Sequence, residues 1–222
     1  MGGAPGSDIL TGTEDCLYLD IKVPKQSSTE LLPVMFWIHG GGNTSGLKDI
    51  YNFSTMVNRH DVIVVTINYR LGAFGWFTHP AIQDQHEGID KTSNFATLDI
   101  IEALKWVKNN IESFGGDPNN ITIFGESAGG HNVLSLIVAP QAMGLFHKAI
   151  SQSGYTTSVS KKHAHITYID NPIFDHTSNE VVKRLIPNSE KISSRELNKA
   201  LYSLTAKEFF SEYSDKSNLE VP

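Results

Sequence analysis

An α/β fold with a mostly parallel sheet flanked by helices is the fold class this sequence predicts, and two patterns predict it. Short runs of β-branched and large apolar residues alternate, as far as residue 152, with segments whose apolar residues recur every three or four positions. Bulk composition agrees. Of 222 residues, 40% are hydrophobic and 19% charged, which is enough apolar material for a core and too much for a disordered chain.

The elements follow in chain order. Across residues 16–23, Leu17, Leu19, Ile21 and Val23 alternate with Tyr18, Asp20 and Lys22, the period of a half-buried strand, and Pro24 closes it. Residues 32–38 and 62–68 are nearly continuous in apolar side chains, as expected of strands covered on both faces. Over residues 94–113 the spacing of Phe95, Leu98, Ile101, Leu104, Val107 and Ile111 predicts a helix lying on the sheet, stopped by Gly115 and Gly116. Strands are predicted at 121–124 and 148–152, side by side, with the second left as an exposed edge open to self-association. A helix over 128–138 starts after a glycine-flanked turn and ends before Pro140.

Past Gly154, Ser, Thr, Lys and His become common and the strand-like runs stop. The patterns Thr177/Glu180, Ser193/Glu196 and Thr205/Glu208 each predict a reciprocally capped helix start. The division expected is a sheet-bearing core over 13–154 and a polar, helical, cap-like segment over 155–222.

Charge narrows the partners. Lys and Arg number 18 against 24 Asp and Glu, a net charge of −6 without a basic block, so a nucleic-acid partner is not expected. The longest purely apolar runs, 34–38 and 62–65, fall far short of the ~20 residues of a membrane span. Residues 1–8 lack the apolar stretch of a secretory signal. A lone cysteine, Cys16, forms no internal disulfide, which points to a reducing compartment or to a pairing partner outside this sequence.

The strongest local signal is Gly125-Glu126-Ser127-Ala128-Gly129, placed between a predicted strand and a predicted helix. A strand-to-helix turn tight enough to expose a serine needs glycine on either side, and the helix start aims its unpaired N–H groups and positive dipole end at charge developing beside that serine. The alternative is a structural turn whose serine merely caps the helix. A second signal, His39-Gly40-Gly41-Gly42, ends another strand. Stabilising a tetrahedral oxyanion takes two or three backbone N–H groups aimed at one point, and a glycine run lets the main chain come that close. A plain flexible turn is the alternative.

Further segments appear in order: Thr13 to Ile21, Asn68-Tyr69-Arg70-Leu71-Gly72-Ala73-Phe74-Gly75, Ala103 to Val107, Phe114-Gly115-Gly116-Asp117-Pro118 and Leu145 to Gly154. Together with the two glycine motifs they closely resemble the type-B carboxylesterase/cholinesterase family, an α/β-hydrolase fold, densely over 13–154 and loosely beyond. The resemblance implies ester hydrolysis through an acyl-enzyme on a small-molecule ester, with no metal or organic cofactor. It makes Ser127 the nucleophile and the N–H groups of Gly41, Gly42 and Ala128 the oxyanion hole. It also implies a secretory or extracellular setting. The family usually has an aromatic residue after the triple glycine, where this chain has Asn43, so a more polar pocket wall is expected there. In the family the acid and the histidine of the triad follow the serine at long range, which makes this chain look like the middle of a longer esterase, incomplete at both ends. A non-catalytic cholinesterase-like binding or adhesion module, or an inactive truncated product, is the competing expectation.

Other residues have simpler readings. Neither His39 nor His131 is expected to act as the base, and His163 and His165 read as part of a solvated loop. Arg70 and Asp99 are expected to pair with each other, as the family resemblance suggests. Glu126 is expected to fix the turn by hydrogen bonding, and Phe74, Trp76 and Phe77 to be core. Asn43, Asn52 and Asn120 each begin an N-glycosylation pattern, of which Asn43 is expected to stay unmodified because a glycan there would obstruct the site.

Overall fold

The computed structural model describes residues 10–26, 28–165 and 177–214. In chain order the elements are β1 (Leu19–Lys22), β2 (Leu32–Ile38), α1 (Ser54–His60), β3 (Ile63–Ile67), α2 (Pro80–Gln83), α3 (Phe95–Asn110), β4 (Gly116–Glu126), α4 (Ala128–Val138), β5 (Lys148–Gln152), α5 (Lys161–His165), α6 (Ser178–Leu185), α7 (Ser194–Ser203) and α8 (Ala206–Ser214). They fall into two compact units, one of residues 15–70 and 96–156, the other of 1–14, 71–95 and 157–222. Residues 71–95 thus group with the tail and not with the sheet.

The first unit carries a five-stranded sheet in the order β1-β3-β2-β4-β5. Only the β1–β3 pair is antiparallel, so the sheet is mostly parallel as predicted. All five residues of β3 are buried, the pattern of a strand covered on both faces. All five residues of β5 are exposed, and among the described residues β5 pairs only with β4, so it is the edge strand the sequence predicts.

Several boundaries move for identifiable reasons. β1 is shorter than the alternation suggested, because only four residues find partners on β3 while Leu17 and Val23 are 50% and 47% exposed. β4 begins at Gly116, five residues before its apolar run, because Gly116 pairs with Leu32 across a register shift. α3 stops at Asn110 and tightens into a 3₁₀ turn over Ile111–Phe114, closed by Gly115 at φ 82°. Its buried stripe is Ala96, Ile100, Ile101, Leu104 and Val107, with Phe95 and Leu98 at the margin.

The second unit is helical. Phe77, Ala81, Val181, Val182 and Leu197 form its core, with Phe209 packed against them. The Phe209 ring meets Phe77 at 5.0 Å and Phe74 at 5.5 Å, so those two aromatics are packing residues as expected. Ser193 and Glu196 make the predicted capping box, and Thr205 and Glu208 exchange the same bonds. The third pair departs from expectation: the Thr177 side chain does not cap α6, and Glu180 reaches forward to Lys183 at 3.6 Å. No described helix is long and apolar enough to cross a membrane.

Candidate active site

The site is built at the adjoining ends of β2 and β4, where Trp37 registers with Phe124 and Ile38 with Gly125. The chain leaves β4 through Ser127 and enters α4 one residue later. Ser127 has φ 56° and ψ −121°, a conformation that costs a non-glycine residue on the order of 1–3 kcal/mol. Its backbone is pinned on both sides: its N–H donates to the Gln152 carbonyl at 2.9 Å, and its carbonyl accepts the His131 N–H at 3.0 Å. Its side chain makes no cap bond to α4, so the turn is not an ordinary serine cap. Among the described residues the half-buried hydroxyl has no hydrogen-bond partner.

Glycine is required here by contact. A Cβ on Gly129 would stand 2.1 Å from the Ile38 carbonyl oxygen, and one on Gly125 would stand 2.5 Å from the Gly129 backbone. The loop after β2 is pressed equally close, since a Cβ on Gly40 would lie 2.5 Å from the Glu126 carbonyl oxygen and 3.2 Å from Ser127 Cβ. At Gly41, with φ 106°, the chain doubles back so that its carbonyl accepts the N–H groups of Thr44 and Ser45 at 3.1 and 3.0 Å. The N–H groups of Gly41, Gly42 and Ala128 have no acceptor among the described residues, and Ala128 is the first residue of α4, whose opening N–H groups lie outside the helical ladder. The structure therefore brings the serine and the glycine loop together. Unengaged donors beside an unengaged hydroxyl are an arrangement suited to stabilising negative charge.

The two histidines near this site, His39 and His131, are engaged with groups other than Ser127. His39 is buried, its Nδ1 lies 2.8 Å from the Gly40 carbonyl, and its ring stacks on Tyr69 at 4.4 Å. Burial pushes its pKa down. His131 Nδ1 lies 2.5 Å from the Tyr155 carbonyl, with the two rings 4.5 Å apart. Arg70 and Asp99 pair as expected: the guanidinium binds both carboxylate oxygens at 2.8 and 2.7 Å, and the Arg70 N–H adds a third bond at 3.0 Å.

Two expectations are corrected. Among the described residues the Glu126 carboxylate accepts no hydrogen bond, and the turn is held by the backbone bond from Ser127 to Gln152. Residues 161–165 form the short helix α5 and not a solvated loop. His165 is half-buried, with its ring 5.1 Å from His79 and its Nδ1 3.0 Å from Ser178 Oγ, while the side chain of His163 lies outside the described residues, as do residues 1–9. Of the glycosylation patterns, Asn52 is exposed, whereas Asn120 accepts a bond from Lys148 at 2.7 Å and Asn43 one from Asn132 at 2.9 Å. That last bond was not legible beforehand. Its one sequence signal is that Asn132 stands four residues before the buried Leu136, on the apolar side of α4. No group of three or more His, Cys, Asp or Glu side chains placed to hold a metal is found among the described residues.

The model of the family described as Carboxylesterase family matches residues 2–220. Human carboxylesterase 5A is 50% identical over 143 residues, covering 64% of this chain and 24% of that protein. The para-nitrobenzyl esterase of Bacillus subtilis (strain 168) is 44% identical over 154 residues, covering 68% of this chain and 30% of that protein. Among solved structures, a PNB esterase superimposes with a TM-score of 0.74 at 35% identity, over 92% of this chain and 39% of that one. The chain spans about a quarter to a third of the length of these curated relatives.

Proposed function

The chain belongs to the carboxylesterase family, and on that premise we propose that it carries the nucleophile and oxyanion half of a serine ester hydrolase. Ser127 Oγ attacks the ester carbonyl carbon, the carbonyl oxygen takes the negative charge, and its collapse expels the alkoxide and leaves an acyl-serine that water later hydrolyses. The N–H groups of Gly41, Gly42 and Ala128 receive the charged oxygen. The observation that carries this reading is the backbone of Ser127, held at φ 56° with its hydroxyl unengaged. Strain of that kind supports a reactive serine better than a turn that any residue could make. The substrates proposed are carboxylic esters with uncharged or modestly polar acyl groups.

The serine proton needs a base, and neither His39 nor His131 bonds to the hydroxyl. The reading assigns the acid and the histidine of the triad to residues other than these 222. The isolated chain is then expected to bind and to react slowly with a strong electrophile, without ester turnover at the ordinary ~1–10³ s⁻¹. The second reading is a binding or adhesion module without catalysis. We also propose that β5, with its exposed Ile150, pairs with a second copy of the chain, which light scattering on Ile150→Lys against the parent chain tests.

Labelling with a fluorophosphonate separates the two readings. The chain should become covalently labelled at Ser127, and Ser127→Ala should lose the label while keeping its urea midpoint. Equal labelling of the alanine variant would remove Ser127 from the mechanism, and no labelling of the parent chain at any probe concentration would favour the binding module.

A further inference from the structure

A triple-glycine loop has no side chains of its own to hold it, yet its N–H groups stabilise an oxyanion only if they are already in place when charge develops. Gly41 and Gly42 are exposed, so little packing holds them from outside. Thr44 and Ser45 fold the loop on itself at the Gly41 carbonyl, and what ties it to the rest of the sheet unit lies at its two ends. At the front, the Tyr69 hydroxyl donates to the His39 carbonyl at 2.6 Å. At the back, Asn43, with φ 58°, accepts from Asn132 Nδ2 through its Oδ1 at 2.9 Å. The Tyr69 hydroxyl also lies 3.5 Å from Asn43 Oδ1, and burial raises its pKa while the nearby Asn132 amide opposes the rise. Tyr69 is 1% exposed and Asn132 3%.

The contacts run from the His39 carbonyl through the Tyr69 hydroxyl to Asn43 Oδ1, which the Asn132 amide holds by the shorter bond, so Gly40, Gly41 and Gly42 lie between the His39 carbonyl and Asn43. Asn132 stands on α4, five residues after Ser127, on the same rigid element that carries the turn.

We propose that Asn132 is the positioning residue of this site: its side-chain amide clamps the Asn43 end of the Gly40–Gly42 loop, whose His39 end Tyr69 holds, and so fixes the oxyanion donors against Ser127. Asn132 does not touch the substrate. It acts through Asn43, which faces inward to this clamp in place of the aromatic residue usual after the triple glycine. The proposal rests on the reading of Ser127 and the glycine loop as an acyl-transfer site.

The direction of the bonds gives the test. Asn132 donates and Asn43 accepts, so a carboxylate can replace the second amide but not the first. Fluorophosphonate labelling of Ser127 and amide hydrogen exchange of residues 40–43 are measured on the full 222-residue chain. Loss of one oxyanion donor costs ~10²–10³ in rate, and a loosened donor should cost less, about tenfold. Asn132→Asp and Asn43→Leu are therefore expected to slow labelling about tenfold and to speed exchange of 40–43 by a similar factor, with β2 and α4 amides unchanged. Asn43→Asp should restore most of what Asn43→Leu loses. The proposal is overturned if Asn43→Leu folds with parental exchange at 40–43, or if Asn43→Asp is as impaired as Asn43→Leu. Should Asn132→Asp fail to fold, the two Asn43 variants decide. Should the parent chain not label, the esterase reading fails, and the exchange measurement alone decides whether the clamp exists.

Discussion

A Cβ placed on Gly129 would stand 2.1 Å from a carbonyl oxygen of β2, whereas one placed on Gly72 or Gly88, in the helical unit, meets nothing within 4 Å. The sheet unit brings main chain against main chain at Gly40, Gly125 and Gly129. The helical unit is held by side chains, with Val181, Val182 and Leu197 meshing around Phe77 and Phe209. Contact between backbones tolerates no added atom, while contact between side chains yields in proportion to what is removed. The first arrangement suits a place where groups must stand within fractions of an ångström, and the second suits a scaffold.

That comparison can be tested by substitutions of graded severity. Gly129→Ala should be the most damaging single methyl in the molecule: the added carbon cannot be accommodated without moving β2 from α4. The expected result is loss of fluorophosphonate labelling with destabilisation beyond the ~1–3 kcal/mol of ordinary overpacking, read by urea melt. A mild Gly129→Ala would break the distinction between the two units. Leu197→Ala, in the helical core, should cost about 2–3 kcal/mol and leave labelling of Ser127 intact.

Acid should act next. Burial pushes His79 down to about 4, with the neighbouring His165 adding to the shift and Asp84 opposing it. Between the unfolded value of 6.5 and about 4, the unfolded chain takes up a proton that folded His79 refuses, so stability falls as pH drops through that window and levels off below it. His79→Asn, which keeps an acceptor for the Ala81 N–H, should flatten that part of the slope when urea midpoints at pH 7 and pH 5 are compared. An unchanged slope would show that His79 does not refuse the proton. The smallest effect expected is Ser193→Ala, which removes one capping box and should cost about 1 kcal/mol, visible as a lower urea midpoint.

Legibility in the sequence follows the same physical divide. β2, α4 and β5 were read to the residue because each is a short run of consistent pattern with a glycine or proline within a few residues of an end. The polar start of β4 was invisible because only its pairing with Leu32 makes it a strand. α1 was missed because its single buried residue, Val57, leaves no period to detect. At the site, the two glycine motifs stand out because glycine answers to backbone contact, while the roles expected of Ser127, Gly41, Gly42 and Ala128 rest on the family resemblance. Asn132 could not be named, because a buried amide looks the same in sequence as an exposed one until its partner, 89 positions away at Asn43, is placed in space. Glu126 and His165 were misjudged for the same reason: both readings depended on neighbours distant along the chain.

The Ser127 turn also marks a point in time. Its N–H is held by Gln152, its flanking glycines lean on Ile38 and His39, and β2 joins β4 only by pairing residues such as Phe36 and Ile123 that lie far apart along the chain. Contacts of such separation form slowly, because a long loop must close before any of them is rewarded. The geometry of this turn cannot exist until β2, β4 and β5 are all in register, so it is expected among the last features to appear during folding. On the proposed function, a covalent label on Ser127 should therefore count completed molecules, while helix signal from α6, α7 and α8 should accumulate before it.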